Sequence, residues 1–320
     1  MITQRNLIFQ IILIVIIVVV VSCNKKPEIV RFGVCADVHK DVMHDSDFRL
    51  KTFIDRMNAE KVDFIIQLGD FCRPYDYNRS FMDVWSGFEG PDFHVLGNHD
   101  MDGGFTRGQT VEYWNMQAKY YSFDLKGFHF IVLDGNDKRE PPQKGYSRYI
   151  GSEQGTWLDN DLNTTHLPTL VFSHQSLANS DGVENADEVK KILEEANKKS
   201  KYMKVVACIC GHHHKDYIVE ISGIQYIHIN SMSYYWLGGD YLNIRYSEEI
   251  DKEFPWIKYT APYKDPVFAI IKVATDGTIK IEGVETKWVG PSPMELDYPM
   301  GSEIKYVRPG ISDTIINSHH

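Results

Sequence analysis

Five short polar motifs occur in order along the chain: Asp37-Val38-His39, Gly69-Asp70, Gly97-Asn98-His99-Asp100, Ser173-His174 and Gly211-His212-His213-His214. Together they offer Asp37, His39, Asp70, Asn98, His174, His212 and His214 as metal-binding groups. Imidazole is the commonest metal-binding side chain near neutral pH. A carboxylate can bridge two cations, and an Asn adds a neutral oxygen. This is the ligand inventory of a two-metal hydrolytic site, in which paired cations clamp the attacking and leaving oxygens of an in-line displacement. Asp37 and His39 are two apart, so a bend lets both reach one ion, whereas His212 and His214 can address different ions. Each motif alone is weak, since the chain has 13 histidines and Asn and Asp favour plain turns. The conjunction carries the reading.

Such ligands must be held by a rigid frame, and loops converge on ligands at the carboxyl ends of strands in α/β sheets. Every motif follows an apolar, strand-like run: 29–36, 62–68, 93–96, 169–172 and 203–210. Between them, apolar residues at helical spacing predict a helix from Ser46 (a candidate N-cap), with others near Phe81 to Trp85, Val111 to Ala118, Trp157 to Leu162 and Ala186 to Asn197. Hairpins are expected at Lys126-Gly127, Ser222-Gly223 and Asp276-Gly277. Strands alternating with helices, plus hairpins, predict an α/β sandwich with mixed sheets.

The 320 residues, 43% apolar and 24% charged, suffice for a sizeable core. A net charge of -10 argues against a non-specific grip on nucleic acid. At the N-terminus, Arg5 precedes an apolar stretch from Leu7 to Val21, then Ser22-Cys23. This has the form of a secretory signal over residues 1–22. Val20-Val21-Ser22-Cys23 resembles a bacterial lipoprotein box, which implies lipidation at Cys23. The rival reading is an uncleaved spanning anchor. Both place the body, expected over 28–285, outside the cytoplasm on a membrane. Residues 286–320 are expected to form a tail packing on that body or extending from it. Cys35, Cys72, Cys208 and Cys210 are too few for a disulfide scaffold and read as small buried hydrophobes.

The series D-x-H, G-D, G-N-H-D, H and G-H-x-H, from Asp37 to His214, resembles the calcineurin-like metallophosphoesterase superfamily. The resemblance implies a four-layer α/β/β/α sandwich with two mixed β-sheets and a dinuclear centre. It implies that Asp37, His39 and His214 hold one metal, that Asn98, His174 and His212 hold the other, and that Asp70 bridges. His99 would face the scissile phosphate, oriented by Asp100, while a hydroxide activated by the metals attacks in line. Ser173-His174-Gln175-Ser176 departs from the Gly-His-x-Pro often found at the fourth motif, so the loop shape there is open. His213 is set aside because the alternation turns it away. Mixed N and O ligands without thiolate suit Mn, Fe or Zn.

Substrate contacts are less determined. Arg73 and Arg107 follow the ligands Asp70 and Asn98 and are candidate phosphate contacts, against a reading as surface arginines. Nine aromatic residues crowd Tyr234 to Tyr263. They form either a cap over the metals, with Tyr235 and Trp236 against substrate, or a loop packed on the sandwich, and packing is favoured. The expected reaction is hydrolysis of a small phosphomonoester or phosphodiester. One alternative is a nucleotide diphosphatase acting on ADP-ribose-like or CDP-alcohol-like substrates. The other is a non-catalytic surface-binding lipoprotein with a relict site.

Overall fold

A computed structural model describes residues 28–141, 144–299 and 301–317; the expected signal segment and Cys23 lie outside the described residues. Two six-stranded mixed sheets face each other. The first runs β14 (Thr314–Ile316), β13 (Ile279–Gly283), β12 (Ala269–Ala274), β1 (Ile29–Cys35), β2 (Phe64–Gln67), β3 (Asp92–His94). The second runs β4 (Tyr121–Leu125), β5 (Phe128–Val132), β6 (Thr169–Ser173), β7 (Val205–Cys210), β9 (Ile224–His228), β8 (Tyr217–Ile221). β10 (Tyr234–Trp236) and β11 (Thr260–Pro262) form a separate antiparallel pair. Among the described residues, no helix is long and apolar enough to cross a membrane.

Strand alternation builds the layers. Phe32, Val34, Phe64 and Ile66 point inward and meet Phe130, Val132, Phe172 and Ile209 of the other sheet in one buried core. The opposite face of the first sheet, with Cys35 and Ile65, packs on Leu50, Phe53, Ile54 and Met57 of α1 (Ser46–Glu60) and on Trp85 of α2 (Arg79–Trp85). The outer face of the second sheet, with Ile131, Val171 and Cys208, packs on helices Ser152–Thr164 and Ala186–Lys199. These three cores define the four-layer α/β/β/α sandwich. Gly33 lets α1 pack closely: a Cβ there would fall 2.2 Å from Met57 Sδ, so a side chain would force the Met57 side chain to move.

Local details shift some expectations. Ser46 is the first residue of α1 rather than its cap; Asp45 precedes it and spends its carboxylate on Arg49 at 2.6 Å. The helix expected over 111–118 spans Arg107–Tyr113. Thr106 and Gln109 form a capping box that starts it earlier, and Asn115 in left-handed conformation follows its end. Residues 286–299 and 301–317 contact the body: β14 extends the first sheet, and Leu296 and Tyr298 lie against Tyr235 and Leu237. The four described cysteines are free and buried.

Arg49 ties the frame to the site. Its side chain is 1% exposed and donates to the carbonyls of Tyr263 at 2.6 Å and Met232 at 3.3 Å. Arg49→Ala leaves both carbonyls and Asp45 without this partner. It is expected to cost about 2–4 kcal/mol, read as a lower urea midpoint with unchanged slope. A loss below about 0.5 kcal/mol, the usual size for a surface substitution, would show that Arg49 is dispensable.

Candidate metal centre

Bonds from backbone N–H groups hold the motifs to one another at the strand ends. Asp37 N–H donates to Gly69 O at 3.0 Å and His39 N–H to Asp70 O at 2.9 Å. His212 N–H donates to Asp37 Oδ2 at 2.9 Å. Five of the seven candidate ligands, Asp37, His39, Asp70, His212 and His214, have positive φ between 50° and 70°. Non-glycine residues rarely adopt that conformation, and it concentrates where surrounding structure over-determines a functional geometry. Here it turns consecutive motif side chains toward a common point. Gly211 is required beside them, because a Cβ there would meet Asp37 Oδ2 at 2.6 Å.

Two groups of three ligand atoms result, each within 4.8 Å of one another: Asp37, His39 and His214, and Asp70, His174 and His212. Asp70 joins them, with Oδ2 at 3.7 Å from His39 Nε2 and 3.2 Å from His174 Nε2. Asn98 Oδ1 lies 3.1 Å from His174 Nε2, and His212 Nδ1 lies 3.1 Å from the same atom.

Tautomers decide whether these groups fit cations. His174 Nδ1 donates to Leu68 O at 2.7 Å and His214 Nδ1 donates to Tyr234 O at 2.7 Å. Carbonyl partners of this kind orient a metal-binding imidazole, leaving each Nε2 free to present a lone pair inward. Asp37 Oδ1 is buried with no hydrogen-bond partner and faces His214 Nε2 at 3.3 Å. Asp37 Oδ1 thus lacks a donor, and the Asp37 and Asp70 carboxylates face the imidazoles, which favours positive charge between them. The same demand acts on His174: burial alone would lower its pKa, but Asp70 beside it pushes it up to about 9. Burial opposes ionisation of Asp70, yet His174, His99 and His39 outweigh it and hold its carboxyl well below the usual range.

His99 stands apart from both groups, with its side chain 39% exposed. Its backbone N–H donates to Asp70 Oδ1 at 2.8 Å, which leaves Oδ2 for the centre. Its ring corrects an expectation. Asp100 does not orient it; that carboxylate accepts the backbone N–H groups of Asp70, Phe71 and Gly97 at 2.7–2.9 Å. Asp102 Oδ2 is the partner of His99 Nδ1, at 2.8 Å. Burial would lower the His99 pKa, but Asp70 and Asp102 outweigh it and raise it above the ordinary value. Asp102 also accepts from Arg73 Nη2 at 3.2 Å and from the Tyr146 hydroxyl at 3.0 Å.

Around the centre, Arg73, Tyr235 and Trp236 line one cavity together with His39, Asp70 and His99. Arg107 does not; Asp134 and Asp137 hold its guanidinium in a neighbouring cleft. His213 does line the cavity, against the outward turn expected of it, and neither ring nitrogen has a hydrogen-bond partner. The crowded aromatics divide: Tyr246 and Phe254 pack with the Val42–Met43 cluster and Tyr263 is fully buried, whereas Tyr234, Tyr235, Trp236 and Trp256 face the cavity. Two serines carry no motif signal yet pin the first motif. Ser231 Oγ donates to Asp37 O and Ser233 Oγ to Val38 O, both at 2.8 Å. At the fourth motif, whose loop shape the sequence left open, Ser173 Oγ donates to Gln175 O at 2.8 Å and closes the loop.

The sequence pattern of the family described as calcineurin-like phosphoesterase matches residues 30–216. Among solved structures, a dimetal phosphatase from Danio rerio is similar at 19% identity and TM-score 0.59, over 83% of this chain and all of that one. GAP50, the anchor in the inner membrane complex of Plasmodium, is similar at 16% identity and TM-score 0.53, over 92% of this chain and 90% of that one. No curated protein matches the sequence significantly.

Proposed function

The chain belongs to the calcineurin-like phosphoesterase family, hydrolases of phosphoester bonds, and from that premise we propose that it is a dinuclear metal-dependent hydrolase of small phosphomonoesters or phosphodiesters. One cation would be held by Asp37, His39 and His214, the other by Asn98, His174 and His212, with Asp70 shared. When bound, two divalent cations supply Lewis-acid charge at phosphorus and an activated water for in-line attack. The observation that carries this reading is the convergence of two groups of three ligand atoms on two points joined by Asp70, with Asp37 Oδ1 buried and unpaired among them.

The chain's own residues supply the rest. His99 lies outside both ligand groups and holds a proton readily, so it donates to the leaving oxygen or steadies charge on a phosphoryl oxygen. Asp102 fixes the ring so that Nε2 faces the cavity. Arg73, paired with Asp102 on the cavity wall, places positive charge where a phosphate oxygen would sit. Turnover of p-nitrophenyl phosphate or bis-p-nitrophenyl phosphate should appear on adding Mn and vanish with a chelator. A preparation that stays inert after supplementation with Mn, Fe and Zn in turn would sink the proposal and favour the non-catalytic alternative.

A further inference from the structure

Two cavities meet at the candidate centre, and one tyrosine divides them. The first, about 720 Å³, opens over His39, Asp70, His212 and His214. The second, about 780 Å³, reaches the centre through Asn98. Tyr146 and Asp102 line both. The Tyr146 ring lies 4.6 Å from the His99 ring, and its hydroxyl is fixed on Asp102.

The two walls differ in chemistry. A run of rings leads outward from His39, of which Tyr234, Trp236 and Trp256 line the first cavity and Tyr259 backs the two tryptophans. Tyr234 stacks on His39 at 5.1 Å, Trp236 follows at 6.5 Å, Tyr259 at 6.1 Å and Trp256 at 5.6 Å. Pairing of Tyr234–Trp236 with Thr260–Pro262 holds this shelf in place. Trp236 and Trp256 nevertheless remain 43% and 53% exposed. Large rings held rigidly with open faces over a cavity suit a flat partner, because offset stacking adds to their burial. The second cleft has fewer rings and mixes Thr106, Asn136, Lys138, Ser147 and Ser152 with Met101 and Phe105. A phosphomonoester would fill one cavity and leave the other without a role.

We propose that the substrate is a phosphorus centre substituted on both sides, a phosphodiester or a diphosphate, with a planar ring against Trp236 and Trp256 and the other substituent in the cleft beyond Tyr146. This rests on the phosphoesterase reading above. A planar polar ring fits the first cavity better than an acyl chain, since Arg73, Asp102 and Lys215 share its lining and hydrocarbon would desolvate them without hydrogen bonds.

Three esters with one leaving group test this on the Mn-loaded full chain: p-nitrophenyl phosphate, ethyl p-nitrophenyl phosphate and thymidine 5′-p-nitrophenyl phosphate. The thymidine diester should exceed the ethyl diester in kcat/KM by about tenfold, the scale of one base stacked on an aromatic side chain, and the monoester should be slowest. Trp256→Ala should erase the thymidine advantage through KM and leave the ethyl diester unchanged. Calorimetry gives a readout without turnover. Adenosine 5′-(α,β-methylene)diphosphate should bind about tenfold tighter than methylenediphosphonate, with the gap lost in Trp256→Ala. A fastest monoester, a thymidine advantage that survives Trp256→Ala, or an octyl p-nitrophenyl ester outpacing the thymidine ester would overturn the inference. If no ester turns over while the calorimetric gap stands, the hydrolase reading fails and the ring shelf is supported. Turnover without any preference defeats only the two-armed substrate.

Discussion

Asp70→Ala is expected to abolish bound metal and turnover together. Asp70 is the residue that touches both ligand groups, and its second oxygen also accepts the His99 backbone N–H. Loss of a partner that merely orients a ligand typically costs 10–100-fold, on the order of a minor defect. Removing a shared ligand should exceed that, with activity falling by at least about 10³-fold, since the paired cations are the main source of charge at phosphorus. Asp70→Asn separates charge from shape: it can keep the bond from His99 N–H but not the bridging negative charge. Both variants should remain folded by circular dichroism, because the cores lie away from the centre. Two metals per chain measured in Asp70→Ala would refute its bridging role.

His99→Ala should behave in the opposite way. The ring belongs to neither ligand group and is held by Asp102, so metal content should match the wild type. Turnover should fall by about 10²–10⁴-fold, the usual contribution of a positioned general acid or base. Asp102→Asn should reproduce part of that loss by releasing the ring, while Asp100→Asn should act through the backbone loops of Asp70 and Gly97 instead. Metal loss in His99→Ala would reverse its assignment from proton carrier to ligand.

The difference between Asp100 and Asp102 shows where sequence reading reaches its limit. The ligand motifs were legible because cation binding restricts residue type to Asp, Asn and His, and because strand ends announce themselves by apolar runs. Orientation was not legible. The turn at His99–Met101 is a tight helical one, which brings residue i+3 back to the ring and sends Asp100 to three backbone donors. The left-handed conformations at Asp37, His39, Asp70, His212 and His214 fall on residue types that tolerate them, but tertiary bonds between motifs decide which Asp and His adopt them. Arg49, Ser231 and Ser233 act on carbonyls far along the chain, and no spacing rule marks such contacts. The helix at Arg107–Tyr113 did carry a signal, the Thr106 and Gln109 capping box, which apolar periodicity alone placed too late. The aromatic segment defied a single assignment because its residues serve both purposes, Tyr263 in the core and Trp256 over the cavity.

Anomalous diffraction from crystals of the Mn-loaded protein addresses the central claim most directly. The account predicts two peaks roughly 3.5–4 Å apart, one contacted by Asp37, His39 and His214, the other by Asn98, His174 and His212, with Asp70 between them and His99 contacting neither. A single peak, or peaks placed away from Asp70, would contradict it.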